Sequence, residues 1–157
     1  MKKLLFRTLI ICIAITLFVV QCNYWINYRT PSHVRFSKAC DIKLPRNIKV
    51  IKDKYHDLWQ DFYIEYEVKL SKESQEKLIE SIKQSKFYNP NKLINDRINR
   101  EMIGDIDKDM FLEIDGLRAV WVETENGYKF QTDSGRHSYS AFVDTVSGIA
   151  KFEEFCD

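Results

Sequence analysis

The sequence predicts an α+β domain: an antiparallel sheet of about five to six strands with one main helix packed on one face, behind an N-terminal transmembrane or signal helix. Three observations predict it. Residues 61–70 alternate apolar and polar side chains, the segment after Ser71 changes to helical spacing, and from Leu117 onward four apolar runs are separated by short polar turns.

In chain order, residues 1–28 form the signal-anchor segment. Lys2, Lys3 and Arg7 precede the unbroken run 8–20, the basic and apolar regions of a secretory signal. Residues 4–25 supply about the 20 positions a bilayer-spanning helix needs. Arg7 reaches the interface by snorkelling, and Tyr24, Trp25 and Tyr28 stand where an aromatic belt holds the outer end. The basic excess ahead of the run keeps the N-terminus cytoplasmic. The expected location is therefore a bacterial inner membrane, single-pass, with the domain periplasmic or extracellular. Cleavage is a second outcome, but it needs small residues just beyond the run; Val20-Gln21-Cys22 fits poorly and Ala39 is distant. A third is lipid attachment. Leu17-Phe18-Val19-Val20-Gln21-Cys22 resembles the end of a bacterial lipoprotein signal, which implies modification at Cys22, with Gln21 standing where such signals carry a small residue.

Residues 29–39, with Pro31, read as a polar juxtamembrane linker without a core, and 40–157 as the extracytoplasmic domain. After Pro45, Ile48 and Val50 alternate with Lys49 and Lys52 as a first strand, and Tyr55, His56 and Asp57 fall in the loop after it. The second strand places Phe62, Ile64, Tyr66, Val68 and Leu70 on one face and Tyr63, Glu65, Glu67 and Lys69 on the other. That pattern describes a sheet covered on one side and solvated on the other. Ser71 is the helix N-cap, Leu78, Ile79, Ile82 and Phe87 form a narrow stripe, Glu73 and Lys77 pair at i, i+4, and Asn89-Pro90-Asn91 is the stop. Residues 92–110 show no clear pattern. The runs 117–124, 128–132, 138–144 and 149–155 then form a meander through Asn126-Gly127, Asp133-Ser134-Gly135 and Ser147-Gly148. Asn-Gly is the strongest of these signals because both residues accept positive φ.

The 157 residues suffice for one domain, and 45% hydrophobic with 13% aromatic content supports a packed core. The 24 basic and 23 acidic residues leave a net charge of +1, so no field attracts a polyanion and no nucleic acid is expected as a partner. Cys12 and Cys22 belong to the anchor, whereas Cys40 and Cys156 bracket the domain. A bridge between Cys40 and Cys156 is what a disulfide in an exported protein looks like, worth about 3–5 kcal/mol in the chain-entropy picture. Two unrelated buried thiols are the alternative.

No catalytic or ligand motif is present, so no cofactor is expected. Asp105-Ile106-Asp107-Lys108-Asp109 imitates the start of a calcium loop, but Met110 and Gly116 stand where the glycine and the bidentate glutamate belong. His33, His56 and His137 lie in separate segments without metal-ligand spacing, and there is no GxSxG and no glycine-rich phosphate loop. His56 with Asp57, and Arg136 and His137 near Asp133, are the couples that fit acid-base work. Tyr55, Trp59 and Tyr63 form the candidate partner-binding patch. The expected role is protein binding, with the membrane engaged through the N-terminal helix. The layout of anchor, early cysteine, compact domain and terminal cysteine is similar to inhibitor or immunity-type proteins held outside the inner membrane, although no motif carries the likeness. The competing readings are a small periplasmic lipoprotein and a hydrolase using the loop histidines.

Overall fold

The computed structural model describes residues 2–28, 30–90, 106 and 108–157. Its elements are the helices α1 (Lys2–Tyr28), α2 (Ser32–Ala39) and α3 (Lys72–Lys83), the short 3-10 turn Lys108–Met110, and eight strands. The strands are β1 (Ile48–Leu58), β2 (Asp61–Leu70), β3 (Tyr88–Asn89), β4 (Leu112–Ile114), β5 (Leu117–Thr124), β6 (Gly127–Thr132), β7 (His137–Asp144) and β8 (Ile149–Cys156). They form one mostly antiparallel sheet in the order β1-β2-β8-β7-β6-β5-β3, with β4 also pairing β5. The domain is thus α+β, with eight strands rather than five to six. The additions are β3 and β4, two and three residues long, along the outer edge of β5.

The meander β5–β8 forms as its turn signals predict, and β8 then pairs with β2 along Phe62–Lys69, joining the first hairpin to the last strand. The β5–β6 turn is shifted by one residue: Thr124 pairs with Gly127, so Glu125 and Asn126 make the loop. Glycine is required at 127 because a Cβ there would lie 1.8 Å from the Val143 carbonyl oxygen.

β1 runs through Leu58 and pairs with β2 to the tip, so Tyr55, His56 and Asp57 are strand residues and not a loop. The two-residue turn Trp59-Gln60 lacks the usual glycine or asparagine. Trp59 takes φ 74° instead, with its N–H donating to Asp57 Oδ1 at 2.9 Å.

The 29–39 segment is not a linker. It contains α2, whose Phe36 is fully buried against Tyr66, Phe152 and Tyr139. Positions 32, 36 and 40 are one row of the helix, and all three are buried. The helix closes in a Schellman arrangement, Ile42 N–H to Ser37 O and Asp41 N–H to Lys38 O, with Asp41 left-handed at φ 53°. Trp121 Nε1 then donates to the Cys40 carbonyl at 2.8 Å, tying the end of α2 to β5. α3 begins as predicted, the Ser71 hydroxyl accepting from Ser74 N–H, but ends at Lys83. Phe87 is buried beyond its end.

Both α2 and α3 cover the same side of the sheet. Phe36, Leu78 and Ile82 pack there on Tyr66, Val68, Phe130, Val143, Phe152 and Trp121. A second, smaller cluster of Ile106, Val120 and Val122 lies on the other side, with Met110 and Phe111 against it. Among the described residues no helix packs on the rest of that side.

α1 is a 27-residue helix whose described side chains are those of residues 10–23. Among the described residues no helix is long and apolar enough to cross a membrane. The large apolar residues of α1 from Ile10 to Val20 are half or more exposed, so this described stretch of the helix does not pack on the domain.

Candidate functional site

Strand alternation decides what can meet. His56 and Asp57 point to opposite faces of β1, so the first acid-base couple does not form. His56 Nε2 instead lies 3.1 Å from Glu65 Oε2, which also holds Lys52 at 2.7 Å. The hydrogen bond from Lys52, reinforced by His56, keeps the Glu65 carboxyl below its ordinary range. The second couple is also separated: Asp133 pairs with Arg118 at 2.8 Å, and His137 turns to Glu154.

Glu154 is the most enclosed charge in the described structure, at 0% exposure under α2. Arg35 grips it at both oxygens, Nε to Oε2 at 3.0 Å and Nη2 to Oε1 at 2.5 Å, while His137 Nε2 and Tyr139 Oη reach Oε1 at 2.7 and 3.1 Å. Burial opposes the Arg35 charge, but the bond to Glu154 and its charge outweigh it and raise the guanidinium's pKa. Burial, with Glu154 adding to it, also raises the Tyr139 hydroxyl. This cluster clamps α2 to the sheet: a buried acid with three partners, one of them a bidentate arginine, is a completed structural network.

Cys40 and Cys156 are free thiols, and no disulfide links them. Cys40 is fully buried, and burial followed by the Glu154 charge pushes its thiol well up, which removes it as a nucleophile. Cys156 lies at the end of β8, paired in register with Phe62 and His137. Cys22 lies within α1, partly exposed. Among the described residues no group of three or more metal-ligating side chains converges. Of the calcium-like stretch 105–109, Asp105 and Asp107 fall outside the described residues.

The aromatic patch divides. Tyr55 shares the helix-covered face and stacks on Phe62 with ring centroids 5.7 Å apart. Tyr63 points to the open face beside His56, also at 5.7 Å. Trp59 projects from the hairpin tip at 95% exposure. Tyr55 and Tyr63 therefore belong to two surfaces that meet at Trp59.

On the open face Tyr63 helps to line a hollow of about 310 Å³ with Gln131, Ser138, Ser140, Glu153 and Phe155. Tyr63 Oη donates to Glu153 Oε1 at 2.8 Å and Ser140 Oγ to Oε2 at 3.2 Å. Burial, followed by the Glu153 hydrogen bond, raises the Tyr63 hydroxyl far above its ordinary value, so it serves as a donor at neutral pH. Gln131 lies opposite Ser140 in the β6–β7 register, and its Oε1 is buried without a hydrogen-bond partner. Of this group the sequence singles out Tyr63 alone. The outward positions of β6, β7 and β8 are readable as a pattern, but their meeting beside β2 depends on strand order. No family model, curated protein or solved structure matches the chain.

Proposed function

We propose that this chain is a membrane-tethered extracytoplasmic binding module that engages a protein partner through the tip of the β1–β2 hairpin. The observation that carries the reading is Trp59. A large apolar side chain stands 95% exposed on a left-handed residue, a conformation that costs a non-glycine residue about 1–2 kcal/mol. Such a side chain adds nothing to the core and burdens its own turn, so its contribution lies in what it touches outside the chain. Tryptophan is also enriched among residues that dominate binding energy.

The membrane part of the proposal rests on the sequence of residues 4–25 and on the exposure of α1. A helix apolar on every side needs an apolar surrounding, and residues 10–20 find none in the domain. Only residues 29–31 separate α1 from α2, and α2 belongs to the core. A retained α1 would therefore hold the domain close to the bilayer surface, where an inhibitor or immunity role against an incoming or membrane-resident protein fits the layout.

Trp59→Gly is the direct test. Glycine relieves the left-handed turn, so the melting temperature is expected to hold or rise while partner capture from native membranes is lost. Capture that survives the substitution would overturn the tip as the contact. Full release of the chain from membranes by alkaline extraction would overturn the anchor.

A further inference from the structure

Glu153 is a carboxylate whose two oxygens are met by hydroxyls alone. Among the described residues no lysine, arginine or histidine pairs with it. Glu65, one strand away on the same face, already holds Lys52 and His56. The hollow beside Glu153 is walled by Tyr63 and Phe155, register partners across β2 and β8, with Phe155 40% exposed. At its far side stands Gln131, with Oε1 unpartnered.

We propose that this hollow binds the guanidinium of an arginine side chain on the protein partner. A guanidinium presents a planar fork of donors that matches a carboxylate, and its flat faces stack on aromatic rings. Glu153 supplies the carboxylate, and Tyr63 and Phe155 supply the rings. The Gln131 amide turns into the hollow about its broad terminal torsion and accepts a further N–H, satisfying an acceptor that is otherwise buried and unpaired. A volume of about 310 Å³ lies at the lower limit of ligand cavities and suits one long side chain. An ammonium group has neither the fork nor the flat faces, so lysine is the weaker fit.

The proposal rests on the binding-module reading for the source of the arginine, but its test does not. The full chain in detergent micelles is titrated with N-acetyl-arginine methylamide, and the amide resonances of Gln131, Ser140 and Glu153 are followed by NMR. Saturable shifts confined to this face are expected, with the neutral citrulline analogue and the lysine analogue each weaker by about tenfold, the scale of one lost charge-assisted hydrogen bond. Glu153→Gln is expected to weaken arginine binding by a similar factor, and Phe155→Ala reports on the ring wall. The three-ligand comparison uses the unaltered chain and so stands whatever the variants do. Absence of saturable shifts with the arginine analogue, or equal binding of citrulline or lysine, would overturn the assignment. Trp59→Gly is expected to leave this titration unchanged, which separates failure of the hollow from failure of the tip.

Discussion

Glu153 and Glu154 are consecutive residues of β8 that face opposite sides of the sheet. Glu154 enters the covered face, where α2 shuts out water, and it is held by Arg35, His137 and Tyr139. Glu153 faces the open side and, among the described residues, is held by the hydroxyls of Tyr63 and Ser140. Burying a charge costs several kcal/mol unless pairing is complete, so the covered face admits an acid only inside a finished network. The open face has no such demand, and its acid is left with charge to offer. The same residue type therefore holds the fold together on one side and is available for recognition on the other.

The sharpest way to break this comparison is Arg35→Ala. It strands a fully buried acid, and urea unfolding should show a loss of about 3–5 kcal/mol. Arg35→Met with Glu154→Leu should cost less than the single change, because no charge is then left unpaired. Ser71→Ala should cost about 1 kcal/mol through loss of the α3 cap. Glu153→Gln should change stability by no more than about 0.5 kcal/mol in the same assay. Equal losses for Arg35→Ala and Glu153→Gln would mean that the two faces do not differ as described.

The smallest effect is a pH dependence on the open face. The Glu65 carboxyl is lowered in the folded state, so the unfolded chain binds its proton first as pH falls. Its stabilisation is complete above the ordinary carboxyl range and is lost as pH drops through the lowered folded value. Melting curves from about pH 5 to about pH 2 should therefore slope slightly less in Glu65→Gln than in the unaltered chain.

How much was readable in advance follows the same division between local pattern and strand order. β2 shows in its alternation, α3 in Ser71 and its stripe, and the meander in its turn residues. α2 is hidden because its buried row is Ser32, Phe36 and Cys40, with only one large apolar residue, and because Asp41 ends it where glycine is usual. The far half of β1 is hidden because Trp59-Gln60 is an unusual tip. Asp115-Gly116 is a hairpin signal, both residues having positive φ, but β4 is only three residues long. The Arg35–Glu154 clamp joins residues 119 apart, and the hollow draws on β2, β6, β7 and β8. Neither follows from a local pattern, because each needs β8 to lie between β2 and β7.

The most direct measurement is site-specific photo-crosslinking of the full chain in its native membranes, with the reactive residue at position 59 and, as a control, at position 146, where Val146 is 75% exposed on another turn. A discrete protein adduct formed from position 59 and not from 146 is the predicted result. Adducts to lipid alone, the same products from both positions, or none at all would contradict a binding module that works through its Trp59 tip.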